Sequence, residues 1–355
     1  MAKSQKLDGL TKSFIVSGLS LFTVILLVYG AVVLVPLAMA ILIWFLINAV
    51  ASSFQRISLG TFQMQRRMAL VLALITTLAA VLVVVDLVVS NLSVMGTQTI
   101  DFESSLNPLI DKIAKWTGVS NTDILNKALD TIGLEKLFGK IVSATASFSS
   151  QIGVVLVYVI FLLIEQQFFE VKLRALIKED KRRDWIRGIL EAIARDVQSY
   201  MWIMTMLSGL TAALSYGIMK WIGLEHAAFW ALLIFFLNFI PTIGSILSTA
   251  LPTVFAMIQF QGFTEALTLF VAVGVVQFLI GNFLQPRLAA KTLNMSQFVV
   301  ILSLFVWGAI WGVVGMFLAV PITVIMLIIY SNFETTKPVA ILLSQDGQIS
   351  TSTTR

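Results

Sequence analysis

The sequence predicts an all-α, polytopic membrane protein with about eight transmembrane segments, including broken or re-entrant helical hairpins in its C-terminal half. Three observations lead there. Of 355 residues, 58% are hydrophobic and only 12% charged, about half the charge of an average globular domain, so lipid must solvate much of the chain. Long apolar runs recur at 14–50, 68–95, 148–169 and 200–222, each able to cross a ~30 Å hydrocarbon core at ~1.5 Å per residue. The last third carries apolar tracts of lengths that suit no simple crossing, interrupted by proline and glycine.

The elements follow in order. Residues 1–95 hold a basic N-terminal tail and three spans. The tail resembles the start of a signal peptide, but the apolar run behind it is too long for one and is expected to be retained. Phe14–Val50 carries no charge and would be ~55 Å long as one helix, so it reads as two helices, turning near Tyr29-Gly30 or bending at Pro36. A loop with Arg56, Arg66 and Arg67 and no acid leads to the third span, Met68–Met95, which contains Asp86. Residues 96–147 form a small external segment with amphipathic stretches (Leu106, Leu109, Ile110, Ile113; Leu125, Leu129, Ile132). It is too small for a core of its own. Residues 148–222 hold the fourth and fifth spans, joined by a charged arm. The arm's apolar stripe, Ile186, Ile189, Leu190, Ile193 and Val197, reads as an interfacial helix leading into the next span. Residues 223–331 form a C-terminal unit with broken helices, and 332–355 a polar tail, disordered toward its Ser/Thr end.

Positive charge sets the orientation. The N-terminal lysines, the first loop's arginines and the eight Lys/Arg of the arm belong inside, whereas the external segment balances five lysines against six acids. Both termini are then cytoplasmic and the chain belongs in a bacterial inner membrane.

Composition excludes several chemistries. There is no cysteine and one histidine, His226, so disulfides, thiolate sites and multi-histidine metal sites are out. No P-loop, His-Glu-x-x-His or Gly-x-Ser-x-Gly motif occurs. No cofactor, metal, catalytic residue or enzyme activity is expected. The net charge of +5 reflects cytoplasmic loops rather than a nucleic-acid partner; the expected partners are lipid and a small polar solute.

The informative region is 227–321. Ala227–Ile240 is fourteen residues, ~21 Å of helix and too short to cross. It stops at Asn238-Phe-Ile-Pro-Thr-Ile-Gly244. Pro241 breaks the helix, Gly244 permits unusual dihedrals, and Asn238 and Thr242 can satisfy freed backbone groups or a solute. Pro252 adds a second irregularity. Non-helical backbone at membrane depth is tolerated where protein buries it or it lines a cavity, and such breaks commonly form transporter binding sites. Phe298–Tyr330, thirty-three residues, is too long for one upright crossing and contains Gly308, Gly312, Gly315 and Pro321. Gly308 and Gly312, four apart, read as a helix-packing pair. Two topologies follow. If both tracts simply span, the loop Gln285–Gln297, with Arg287 and Lys291 and no acid, lies outside. If the first is a hairpin, that loop lies inside, which obeys the positive-inside rule better. Asp86 and Glu165 are the intramembrane carboxylates available for ion coupling. The bland alternatives place Asp86 where water or a partner reaches it and Glu165 in solvent at the inner end of its span.

Three segments, Phe229-Trp-Ala-Leu-Leu with Leu237-Asn-Phe-Ile-Pro-Thr-Ile-Gly-Ser245, Gly281-Asn-Phe-Leu-Gln-Pro-Arg-Leu288, and Leu302-Ser-Leu through Trp307-Gly and Val314-Gly-Met to Val320-Pro, resemble the signature of the autoinducer-2 exporter family, whose members are also described as permease-like. The resemblance implies export of autoinducer-2 or a related signalling molecule, with Asn238, Pro241, Thr242, Gly244, Pro252, Asn282, Pro286 and Arg287 at the transport site. It also implies a homo-oligomer, a pentamer, with an elevator-like moving unit. Some relatives are sodium(lithium)/proton antiporters, so antiport is the alternative function, and a structural membrane scaffold a further one. Gln285 stands where many relatives carry an acid, which weakens a cation-coordinating role for that loop.

Overall fold

The computed structural model describes residues 9–56, 64–97, 151–289 and 294–348. Residues 1–8, 57–63, 98–150, 290–293 and 349–355, which include both amphipathic stretches of the external segment, Lys291 and the Ser/Thr end of the tail, lie outside the described residues. Everything described is helical or connecting chain, with no strand among the described residues.

Helix α1 (Gly9–Tyr29) meets α2 (Ala31–Arg56) at Gly30. A Cβ at Gly30 would lie 2.5 Å from the Leu26 carbonyl oxygen, so the chain breaks where only glycine fits. Pro36 lies inside α2, which runs on through it. Helix α3 (Arg66–Thr97) follows and packs against α2. Helix α4 (Gln151–Leu176) is interrupted by a 3₁₀ turn at Gln166–Phe168. Helix α5 (Asp180–Ile222) joins the charged arm and the fifth span in one helix of 43 residues. The arm's stripe enters the core, with Ile189, Ile193 and Val197 buried beside Met39, Phe45 and Val159. Gly223, at φ 87°, ends α5 in the left-handed conformation, its N–H donating to the Met219 carbonyl, an ordinary glycine stop.

The two C-terminal tracts are hairpins. Helix α6 (Ala227–Leu237) runs to a turn, and α7 (Ile243–Phe260) returns. Their far ends are tied together: Gln259 Nε2 donates to the Gly223 carbonyl (2.9 Å), and the Glu225 N–H donates to Gln259 Oε1 (2.8 Å). At the same end His226 Nδ1 sits 2.8 Å from Asn91 Oδ1 of α3. Helix α8 (Phe263–Leu279) then leads through a π-helical turn (Ile280–Leu284) into α9 (Gln285–Ala289).

The last tract, α10 (Gln297–Ser331), reverses at Trp311 (φ −124°, ψ 16°) and Gly312 (φ 63°, ψ −143°). In a continuous helix residues 307 and 315 would stand ~12 Å apart. Here a Cβ on Gly315 would fall 1.9 Å from the Trp307 carbonyl oxygen, and one on Gly308 would fall 2.9 Å from Met316. Gly308 therefore packs against the returning arm of its own hairpin, and Gly312 is the turn itself; they are not a pair on one helix face. The base of this hairpin lies with the charged arm: Phe333 makes an edge-on contact with Trp185 (5.3 Å), and the Ser296 N–H donates to Leu343 in α11 (Lys337–Leu343).

The hairpins are thus inverted. The base of α6–α7 joins the end of α3 away from the arginines, whereas that of α10 joins the arm. Arg287, on α9 at the foot of α8, falls at the arm's end. Of the two topologies, this is the hairpin version. Among the described residues seven helices are apolar and long enough to cross a membrane. Length alone counts α7 and α10 among them, but their geometry makes them arms of re-entrant hairpins.

Candidate functional site

The tips of the two hairpins meet. Phe239, in the turn of α6–α7, lies 4.8 Å from Phe317, just past the turn of α10. Their lengths explain this: the first hairpin has arms of 11 and 18 residues, about 16 and 27 Å, and the second, broken at Trp311 and Gly312, has arms over 297–310 and 313–331, about 21 and 28 Å. Two hairpins entering a ~30 Å core from opposite sides therefore overlap near its middle.

The first tip is built from strained backbone. Pro241 ends the helix, and the Ile243 N–H reaches back to the Pro241 carbonyl (2.6 Å). Thr242 between them sits at φ 62°, ψ −61°, a γ-turn that β-branched residues rarely adopt. Such a conformation costs ~1–3 kcal/mol and is held only where its surroundings demand it. Gly244 explains the demand: a Cβ there would lie 1.8 Å from the Leu237 carbonyl oxygen. The two arms are pressed together so closely that only glycine fits, as at Gly315 in the other hairpin.

Beside this turn lies a small polar cluster. Asn238 Oδ1 accepts a hydrogen bond from Gln277 Nε2 of α8 (3.1 Å) and a long contact from Ser248 Oγ of α7 (3.5 Å). Ser248 and Gln277 are buried. With its oxygen so occupied, Asn238 keeps its Nδ2 donors unpartnered among the described residues.

The sequence-predicted residues divide. Asn238, Pro241, Thr242 and Gly244 are together in the tip, with Thr242 exposed. Pro252 is buried within α7 and, lacking an N–H, leaves the Ser248 carbonyl without its helical donor. Asn282, Pro286 and Arg287 are exposed on the π turn and α9, and the Asn282 amide donates to the Phe278 carbonyl of its own helix. Asp86 is exposed on α3. Glu165, also exposed, is ion-paired with Lys172. Neither carboxylate makes a hydrogen bond or ion pair with the hairpin tips.

Gln277 is the residue that reading the sequence missed. Its signal was present: a lone amide inside an apolar span, Val276-Gln277-Phe278, is costly in lipid unless paired. The π turn bears on its placement. Over eight α-helical residues Gln285 would point about 80° away from Gln277, and a π turn absorbs about one residue, or ~100°. Both glutamines then share a face to within about 20°, and Gln285 Nε2 lies 3.9 Å from Met204 Sδ of α5.

Comparison with known proteins gives concordant matches. The model of the AI-2E family transporters matches residues 17–335. The AI-2 transport protein TqsA of Escherichia coli K12 is 30% identical over 243 residues, 68% of each chain. YhhT of the same strain, named only provisionally as a transport protein, is 28% identical over 323 residues, 88% of each chain. A provisionally named transport protein of Borreliella burgdorferi is 35% identical over 197 residues, 55% of this chain and 54% of its own length.

Proposed function

Because the chain belongs to the AI-2E transporter family, we propose that it is a secondary exporter of a small polar solute, autoinducer-2 or a related signalling molecule, bound between the hairpin tips at Asn238. The observation that carries this reading is the pair of inverted hairpins closing on a polar cluster. A helix stopped in mid-membrane leaves amides and carbonyls that hydrocarbon cannot satisfy, each at a cost of several kcal/mol. A solute rich in hydroxyl groups suits them as a partner. Asn238 Nδ2 offers donors, Gln277 fixes the orientation of that amide, and Thr242 adds an exposed hydroxyl. Phe239 and Phe317 close the apolar side. The TqsA name supports autoinducer-2 as the first solute to try.

The solute path needs the two tips to part, and their contact is apolar: Phe239 packs on Phe317, and no hydrogen bond joins the tips among the described residues. Either hairpin can then uncover the site to its own side. In an inner membrane the charged arm and α11 would face the cytoplasm, and a homo-oligomer would cover the apolar outer faces of α1 and α3. The test is flux of autoinducer-2 through proteoliposomes, with and without a pH or sodium gradient. Saturable flux above protein-free vesicles is expected; a sodium/proton exchange that proceeds without the solute would favour antiport.

A further inference from the structure

A cavity of about 220 Å³ opens between α2, α3 and α5, lined by Asn48, Ser52, Gln55, Arg66, Leu70 and Gln198. None of these residues belongs to the Asn238 cluster. The chemistry of the lining is one-sided. It holds a guanidinium, three carboxamides and a hydroxyl, and no carboxylate. Among the described residues no acid pairs with Arg66. Asn48 is 8% exposed. Its Nδ2 donates to the Trp44 carbonyl, and the Ser52 hydroxyl donates to the Asn48 carbonyl, so both side chains are fixed in place. Gln55, Gln198 and Arg66 have no hydrogen-bond partner among the described residues and keep their donors free.

The backbone adds to this charge. Arg66 is the first residue of α3, a helix of 32 residues, and the N–H groups of Arg66, Arg67 and Met68 have no helical acceptor, that of Ala69 donating to the Gln65 carbonyl. A helix N-terminus favours an anion, and here it stands with an unpaired arginine at a built cavity. The volume is below the ~300–1,000 Å³ of pockets for drug-sized ligands, which fits a compact group. The depth is that of the membrane surface on the charged arm's side, the inner one in the orientation proposed above: Gln198 lies where the charged part of α5 gives way to the apolar part at Tyr200, and Arg66 and Arg67 border the first polar loop.

We propose that this cavity is a binding site for a phosphate ester, held bidentately by Arg66 and by the amides of Gln55 and Gln198. A guanidinium fork matches two phosphate oxygens, and the free carboxamide N–H groups supply donors for the others. Two sources present this chemistry at the inner surface: the headgroup of an anionic phospholipid, and a soluble phosphate. Basic pockets between transmembrane helices on this side of a membrane suit the first.

The test uses the full-length protein in nanodiscs. The melting temperature is followed as phosphatidylcholine is replaced by phosphatidylglycerol, and separately as millimolar inorganic phosphate is added to phosphatidylcholine discs. A lipid site predicts a rise of several degrees with phosphatidylglycerol alone, lost in Arg66→Gln and kept in Arg67→Gln, which alters the neighbouring charge outside the lining. An equal, Arg66-dependent rise with inorganic phosphate assigns the soluble source. Gln198→Leu, which keeps the charge, should weaken either response, and it serves where Arg66→Gln does not assemble. No rise with either anion, or equal loss in the Arg66→Gln and Arg67→Gln variants, overturns the proposal.

Discussion

Replacing Gly244 with alanine should break the first hairpin. The new Cβ would lie 1.8 Å from the Leu237 carbonyl oxygen and 2.7 Å from its carbon. Cβ atoms essentially never pack closer than 3.0 Å, so the arms must part by at least about 1.2 Å. Both colliding atoms are backbone, so no rotamer change relieves them. Overpacking a tight site costs ~1–3 kcal/mol, and more where backbone must move; ~3 kcal/mol is the expected figure. At roughly 2 °C per kcal/mol for a chain of this size, the melting temperature should fall by ~5 °C or more. Gly217→Ala supplies the comparison. Gly217 is exposed on α5 with nothing within 4 Å of an added Cβ, and alanine there should be neutral or stabilising by up to ~1 kcal/mol. The assay is intrinsic tryptophan fluorescence on heating in detergent, with gel filtration for assembly. If Gly244→Ala melts within a degree of the parent protein, the arms are not in contact at this point and the hairpin geometry is wrong.

Four further outcomes follow. Thr242→Gly should raise the melting temperature by a few degrees, because glycine occupies a positive φ without the ~1–3 kcal/mol that threonine incurs; no change would mean the γ-turn is unstrained. Arg287→Cys should react with an impermeant maleimide only from the cytoplasmic side and Gly262→Cys only from the periplasmic side, in a chain with no cysteine of its own; reaction of both from one side would contradict the inverted hairpins. Asn294→Ala should free the tail, since Asn294 donates to Asp346 Oδ1 (2.9 Å) and accepts from the Gln345 N–H (3.2 Å); hydrogen exchange at Gln345 should rise to that of open chain, and unchanged protection would remove the tie. The same contact holds the Asp346 carboxyl below its ordinary value, chiefly through the Asn294 hydrogen bond. A depressed carboxylate pKa stabilises the folded form above the unfolded value and is lost as pH falls through the folded one, so protection at Gln345, the intrinsic exchange rate at each pH divided by the observed one, should fall below about pH 4 and stay flat from pH 5 to 8.

Much of this architecture was legible in the sequence because membrane depth limits what a helix can do. A fourteen-residue apolar stretch ending in Asn-Phe-Ile-Pro-Thr-Ile-Gly has no crossing available to it, so the break at Pro241 could be read directly. The tract from Phe298 to Tyr330 was suspect by length, but its turn was not located. Trp311 and Gly312 look like any helical pair in sequence, and the reversal depends on Gly315 meeting the Trp307 carbonyl, a contact made only once the arm has folded back. The weak signal at Gly308 and Gly312 fits the commoner helix-packing rule, which does not distinguish two helices from one helix returning on itself. Gln277 was passed over because its partner, Asn238, lies thirty-nine residues away, and only the antiparallel course of α8 beside the hairpin joins them. Asn282, Pro286 and Arg287 stand out in the sequence only as part of a motif, and the structure places them exposed on the π turn and α9, apart from the Asn238 cluster. The charged arm reads as separate from the span behind it because composition changes at Tyr200, yet backbone helicity is indifferent to that change and α5 continues.

The placement of the solute at the hairpin tips is tested most directly by protection of a single cysteine. Thr242→Cys puts a thiol at the exposed tip, beside Asn238, in a protein with no other. Its rate of alkylation and the flux of autoinducer-2 are measured in the same proteoliposomes, across a range of solute concentration. The rate should fall several-fold, with half-protection at the concentration that half-saturates flux. In an Asn238→Ala background both concentrations should rise together by about tenfold, the worth of roughly one lost hydrogen bond at ~1.4 kcal/mol. An alkylation rate that ignores the solute while flux saturates would place the binding site away from these tips.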